Sequence, residues 1–380
     1  MALVGLNMLY LAPSETGGME TYARELVPRL VEQAGGTRFV AFVGTELAAE
    51  MRERPWAPGL RVVRMPVSSR TRAARSAAEQ TLLALAVRRA RVGLLHSMAT
   101  TTPVAPGPPT VVTIQDLIYR RFPETHGGVL AAGVAALTRG AVARARRIIA
   151  PSEATAADLR ELLAVPGEKI DVVPLGPGSD RLATPTAEAQ LRARLGLGDA
   201  PIVLSPSAKR PHKNLPRLVR AVAALRDPAP VLVVPGYASA YEDELEAEAV
   251  RAGAPDRVRF TGWVADADLE GLYAASACVA FPSLAEGFGL PVLEAMRRGV
   301  PVACANTTSL PEVAGDAALL FDPLSVEQIA DAVRRLLSDG ALRDELATRG
   351  RAQAARFTWD RTAAGTLRSY ERVLTDRRRS

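Results

Sequence analysis

The feature that most narrows the choice of fold is an alternation of short apolar runs with longer stretches at helical spacing, carried out twice along the chain. The first round holds ALVGLNMLYL, RFVAFVG, VGLLHS, TVVTIQDL, RRIIAPS and DVVPLG. Runs this short and this rich in branched side chains read as strands buried on both faces. Strands that alternate with helices build a parallel, doubly wound sheet, because each parallel pairing needs a crossover to cover it. Between Pro174 and Pro201 lies a stretch punctuated by proline and glycine with a short helical piece. PIVLSPS, PVLVVPG, RVRF, ACVAFPS, PVACAN and AALLFD then repeat the scheme. A chain of 380 residues with 48% hydrophobic content exceeds what one core organises. Two α/β domains are therefore predicted, residues 1–180 and 181–357.

Helix signals support the second sheet. Ser325 precedes Val326, Ile329, Ala330, Val333, Leu336 and Leu337 at helical spacing, with Gln328 placed to complete a capping box and Gly340 beyond the end.

Composition removes several function classes. Two cysteines, Cys278 and Cys304, are too few for a disulfide framework and lack metal-ligand spacing, which fits a reducing cytoplasm. No apolar run reaches the roughly 20 residues that span a bilayer. Met1 to Leu11 lacks the basic start and cleavage site of a secretory signal and reads as a first strand. The net charge of +6 comes from arginine, since three lysines among 47 basic residues leave 44 arginines. Aromatics at 5% do not supply the stacking partners that a nucleic-acid surface wants, so nucleic acid is set aside. One arginine- and leucine-bearing stretch, residues 68–93, reads as a basic helix for peripheral contact with an anionic membrane or a polyprenyl-linked acceptor, at the inner membrane face. Its alternative is an ordinary first-domain helix with a solvated face.

Three strand-to-helix corners carry the chemistry. Gly17 and Gly18 open a helix whose inward face is Met19, Tyr22, Ala23, Leu26, Val27 and Leu30. Such a mouth offers unpaired amides to a phosphate, and equally reads as a tight turn. In SAKRPHKNLPRL, two of the three lysines, Lys209 and Lys213, crowd with Arg210 before a helix that Asn214 caps and Pro216 starts. Ligands of open α/β sheets bind outside the carboxyl ends of strands, where this corner points. The third corner, EGFGLPVLEAM, places Glu286 on an approach loop and Glu294 inside a helix that begins near Pro291. Eight residues are about 2.2 helical turns, so one continuous helix would point the two carboxylates about 80° apart; they are not one helical pair. Carboxylates suit hydroxyls and helix-mouth amides suit phosphate, and together these describe a nucleotide sugar.

Taken in order, GGMETYARELV, SEATAADL, VVPLGPG, SAKRPHKN, FTGWV, EGFGLPVLEAM, PVACANTTSLPEVAGDAALLFDP and FTWDRTAAGTLRSYERVL resemble the GT-B-fold retaining glycosyltransferases of family 4 over nearly the whole chain. The resemblance implies two Rossmann-like domains facing a central cleft. The first would hold the acceptor and the second the nucleotide-sugar donor. The last helix, from Thr358, would cross back so that residues 358–380 pack on the first domain. It assigns Lys213, with Lys209 or Arg210, to the donor diphosphate, and Gly17 and Gly18 to closure over it from the other domain. Glu286 would address the sugar hydroxyls and Glu294 the ribose. Amides of Gly287, Phe288, Gly289 and Leu290 would meet sugar and phosphates, and the backbone of Gly262, Trp263 and Val264 the edge of the base. The Trp263 side chain is read as loop packing rather than base stacking.

One departure stands out. Gln115 occupies the strand-end position where many relatives carry a histidine near the donor sugar, and Gln does not titrate near neutral pH. His96 and His126 are the substitutes for a sugar contact, with a structural role as the alternative for a strand-end histidine. No Asp-x-Asp pair is set to hold a divalent ion, so metal-independent hexosyl transfer to a glycan, lipid-linked sugar or small metabolite is expected, without a cofactor beyond a GDP- or UDP-hexose donor. A sugar-nucleotide epimerase of similar fold and a non-catalytic nucleotide-sugar binding protein are the rival readings.

Overall fold

The computed structural model describes residues 2–123, 129–179 and 182–379, so His126 and the expected 180/181 boundary lie outside the described residues. The chain divides into Met1–Gly176 with Thr358–Ser380, and Pro177–Phe357. Each end of the short connection is tied to its own unit by a glycine. A Cβ on Gly176 would stand 2.6 Å from the Trp359 indole, and one on Gly178 would stand 2.4 Å from Glu294 Oε1.

The first unit is a parallel sheet of β1 (Leu3–Asn7), β2 (Arg38–Val43), β3 (Arg61–Arg64), β4 (Leu94–Ser97), β5 (Thr110–Thr113), β6 (Arg147–Ala150) and β7 (Ile170–Val172). Its order is β3-β2-β1-β4-β5-β6-β7, so the chain winds outward from β1 in one direction and from β4 in the other. Every residue of β4 and β5 is buried, as an apolar run covered on both faces requires. The edge strand β3 reads RVVR and is largely exposed, which is why no apolar run announces it. The last helix, Trp359–Arg379, lies against Gly18–Gln33, with the Tyr22 and Trp359 rings 6.3 Å apart. Thr362 Oγ1 donates to Pro174 O at 2.7 Å, which anchors that helix beside the end of the first unit.

Residues 68–93 contain a helix interrupted in an informative way: Arg72–Ala78 passes through a π-turn, Glu79–Leu83, into Ala84–Arg89. The wider turn brings both Glu79 and Leu83 inward.

The second unit is a parallel sheet of β8 (Ile202–Leu204), β9 (Val231–Pro235), β10 (Val258–Gly262), β11 (Ser276–Phe281), β12 (Val302–Ala305) and β13 (Ala318–Phe321). Its order, β10-β9-β8-β11-β12-β13, reverses direction between β8 and β11. In helix Val326–Ser338 the Ser325 hydroxyl accepts from Gln328 N at 3.2 Å, as expected. The reciprocal half of the box is absent, because Gln328 Oε1 accepts instead from Asp322 N at 3.0 Å. Gly340 lies beyond the end of that helix, as expected, and opens the next one, Gly340–Ala354, capped by Asp339. No described helix is long and apolar enough to cross a membrane.

Candidate active site

Reversal of strand order leaves a crevice outside the carboxyl ends of the two strands that flank it. In the second unit those strands are β8 and β11, and their two loops are stitched together. Leu284 N donates to His212 O at 2.8 Å. Asn214, read as a helix cap, sits at the cap position in the left-handed region but makes no side-chain cap bond. Its Nδ2 donates to Pro282 O at 3.0 Å and Pro323 O at 2.7 Å, tying the β8 corner to the ends of β11 and β13. A long-range use of the amide has replaced the local one.

Across this crevice Lys213 Nζ donates to Glu286 Oε1 at 2.6 Å, although 73 residues separate them. Both side chains remain slightly open to solvent, at 14% and 10%. Lys213 also lies over the Phe281 ring at 5.3 Å. The Glu286 backbone is gripped on both sides, its N–H donating to Thr308 Oγ1 at 3.0 Å and its carbonyl accepting from Ser309 Oγ at 3.1 Å. These two hydroxyls, on the loop after β12, were not singled out in the sequence; the signal available was their place at the end of another strand of the same sheet.

Lys209 behaves differently from the expectation that it would meet phosphate. Its side chain is fully buried and its ammonium meets Gly236 O at 2.8 Å, Tyr237 O at 3.2 Å and Glu242 Oε1 at 2.9 Å. Two hydrogen bonds to carbonyls and an ion pair thus hold the ammonium inside the unit. Lys209 therefore shapes the β9 end, while Arg210 is exposed beside it.

Gly289 starts the helix Leu290–Arg297 at φ 108°, with Pro291 in the first turn as predicted. Phe288 is buried edge-on against Phe357, at 5.8 Å between centroids, which leaves the backbone of Gly287 to Leu290 as the polar feature of the turn. Within that helix Glu294 accepts from the Tyr273 hydroxyl at 3.1 Å, and burial pushes its carboxyl pKa up against the opposing pull of Arg298. At the end of β10, Gly262 takes φ 66° and its carbonyl accepts from Gly236 N at 3.0 Å. Trp263 does pack on a loop residue, stacking on Tyr237 at 4.5 Å, yet 60% of it stays exposed. Val264 is half-buried.

In the first unit Gly17 holds φ 57° and ψ −132° at the mouth of Gly18–Gln33. Gln115 follows β5, and its Nε2 is buried without a hydrogen-bond partner. His96 is not a sugar contact. It is fully buried, with one ring nitrogen 2.6 Å from the Tyr370 hydroxyl and the other 2.8 Å from Thr113 Oγ1, and burial pushes its pKa down to about 3. The ring joins the last helix to the sheet. Among the described residues no group of three or more His, Cys, Asp and Glu side chains is arranged to hold a metal ion.

These two doubly wound sheets define the class of the GT-B glycosyltransferases. Sucrose-phosphate synthase from Thermosynechococcus elongatus superposes with a TM-score of 0.78 at 21% identity, over 99% of this chain and 100% of that one. Anabaena HepE in complex with UDP and glucose gives 0.75 at 23%, over 97% and 100%. At such identities the likeness concerns the fold alone. Sequence comparison is more specific. The profile of Glycosyl transferases group 1 matches residues 188–353 and that of Glycosyltransferase Family 4 matches residues 16–181. The O-antigen chain mannosyltransferase B of Escherichia coli is 33% identical over 69% of this chain and 70% of its own length. A D-inositol 3-phosphate glycosyltransferase of Nocardia farcinica is 36% identical over 61% and 54%. The chain belongs to the group 1 and family 4 glycosyltransferases, and it is an enzyme that transfers sugars.

Proposed function

We propose that this enzyme moves a hexosyl unit from a nucleoside diphosphate sugar to a hydroxyl acceptor with retention of anomeric configuration. The observation that carries the reading is the Lys213–Glu286 contact across the strand-order reversal. A cation and a carboxylate there match the two halves of a donor, the diphosphate and the sugar hydroxyls. As the anomeric carbon–oxygen bond breaks, its electron pair goes to the departing phosphate oxygen. Lys213, Arg210 and the amides of Gly287 to Leu290 stabilise that charge. The acceptor oxygen bonds to the anomeric carbon on the same face and gives its proton to the departing phosphate. Glu286 holds the sugar hydroxyls, Glu294 the ribose and the backbone of Gly262 to Val264 the base edge. Amides at Gly17 and Gly18 suit a phosphate, and Gln115 offers a hydrogen bond without proton transfer. No step is assigned to a metal ion. A GDP- or UDP-hexose fits the mannosyltransferase relatives and the HepE complex.

Thermal shift with UDP, GDP, ADP and dTDP identifies the nucleotide, since a ligand that binds the folded state raises its melting temperature. Absence of a shift with all four would overturn the reading. Turnover of the donor with no acceptor and a changed sugar would indicate the epimerase, and affinity without turnover the binding protein.

The basic helix of the first unit adds a peripheral role on an anionic membrane. Leu82 and Leu85 are exposed at 39% and 49%, with Val104 at 44%, and Arg88 and Arg89 are exposed beside them. Such a face buries apolar side chains while arginines meet lipid phosphates. Sedimentation with anionic liposomes at low salt checks it, with Leu82→Glu and Leu85→Glu expected to abolish pelleting; wild-type protein that stays in solution would dispose of it.

A further inference from the structure

A carboxylate that grips two neighbouring sugar hydroxyls must be fixed in rotation, because a freely turning group loses part of its hydrogen-bond energy to the cost of ordering it. Glu294 is confined from two sides. On one, Tyr273, fully buried on the helix Asp266–Ala275, donates its hydroxyl to Oε2 at 3.1 Å across 21 residues of sequence. On the other, Gly178 brings its backbone, at φ 34°, so near that a Cβ would stand 2.4 Å from Oε1.

Tyr273 is itself held. The Arg298 guanidinium lies over its ring at 4.4 Å and engages both carboxylate oxygens of buried Glu270. Arg298 also donates to the Glu294 backbone carbonyl at 2.9 Å, one turn back along the same helix. A fork paired with a carboxylate and stacked on a ring is a rigid arrangement. It sets the ring, the ring sets the hydroxyl, and the hydroxyl sets the carboxylate. About four acceptor positions exist on an ionised carboxylate, so the bond from Tyr273 leaves others for a ligand.

We propose that Tyr273 is a positioning residue for nucleotide recognition, fixing the Glu294 carboxylate in the one orientation that distinguishes ribose from a deoxyribose. The inference rests on the assignment of Glu294 to the ribose made above, and it adds the residue through which that discrimination is set. Nothing in the local sequence around Tyr273 suggests this, because its contact with Glu294, 21 residues away, exists only once the two helices come together.

The test is calorimetric binding of UDP and GDP beside their 2′-deoxy and 3′-deoxy counterparts, in wild type and Tyr273→Phe. Wild type is expected to prefer the ribose form. In Tyr273→Phe that preference should shrink by about tenfold, the size of one hydrogen bond to a charged group, while affinity for the deoxy forms, which keep one of the two hydroxyls, falls less. Gly178→Ala, which presses on the other carboxylate oxygen, should narrow the preference in the same way and guards against a folding defect in the first variant. Equal weakening of ribose and deoxy forms in both variants would mean a merely structural role, and an unchanged ratio would also overturn the inference. Wild-type protein that binds none of these nucleotides would instead remove the glycosyl-donor reading itself, a result distinct from a failure confined to the variants.

Discussion

His96 is the penultimate residue of β4 in the first sheet and Glu286 follows β11 in the second, so both polar groups stand near a carboxyl edge beside the reversal of strand order. Their surroundings differ. His96 lies in a closed chain from Tyr370 through its two ring nitrogens to Thr113, whose hydroxyl is 3.0 Å from Tyr22. Glu79 accepts from Asn7 and Thr101, each at 3.0 Å, and is also buried. In the second unit the loops are joined through backbone groups and Asn214, which leaves Lys213 and Glu286 with each other and with solvent. What covers a strand end decides whether its polar side chain becomes a strut or a reagent. The last helix supplies that cover in the first unit.

The sharpest way to break this comparison is acid. Burial holds the His96 pKa at about 3 against an ordinary 6.5, and the groups facing it, Tyr370, Thr113 and Tyr22, carry no charge at neutral pH. The unfolded chain takes a proton that the folded chain refuses. The contribution is therefore present in full above pH 6.5 and lost as pH falls from there towards about 3, where it amounts to about 5 kcal/mol at most. Urea midpoints measured against pH should fall more steeply for wild type than for His96→Gln in that window. Parallel curves would show that the imidazole is not held neutral.

Lys209 is the second unit's own strut and refines the contrast within one corner. Lys209→Met leaves the Gly236 and Tyr237 carbonyls without their donor and removes the ion pair with Glu242, and should cost about 1–3 kcal/mol of stability. Lys213→Met should cost less, since the Lys213 side chain stays partly open to solvent whereas that of Lys209 is fully buried. Activity should order the other way: Lys213→Ala and Glu286→Ala are expected to lower transfer by about 100- to 1,000-fold, the usual effect of removing one electrostatic contact from a transition state. Melting temperature and turnover measured on the same preparations check both orderings. Wild-type transfer in Glu286→Ala would remove that carboxylate from the site.

Much of the architecture was legible because its cause is local. A parallel strand covered on both faces must be apolar, and the alternation of such runs with helices announces two sheets. β3 escaped because an exposed edge strand with arginine at both ends needs no such run. Ser325 was legible as a cap, while Asn214 was not legible as a bridge, since nothing near it in sequence encodes Pro282 or Pro323. The same limit applies to the site. The position of Lys209 at a strand-end corner could be read, but not the inward turn that takes its ammonium to two carbonyls and Glu242. Glu286 and Glu294 were recognised by their stretch, yet Thr308, Ser309 and Tyr273 reach them from other strands and helices, so only the packed sheet brings them into view.

The smallest predicted effect concerns the two helix mouths, where glycine serves both units at a positive φ. Gly289, at φ 108°, is crowded, because a Cβ would stand 2.8 Å from Leu310 Cδ2. At Gly17, with φ 57° and ψ −132°, a Cβ would meet nothing within 4 Å. Gly17→Ala therefore isolates the backbone: its cost in stability, about 1–2 kcal/mol, is strain alone. If amides at this mouth approach the donor diphosphate, the added methyl group also stands in the ligand's path. Turnover should then fall about tenfold, or about 1.4 kcal/mol, in protein that remains folded at the assay temperature. A lowered melting temperature with unchanged turnover would make Gly17 a turn residue.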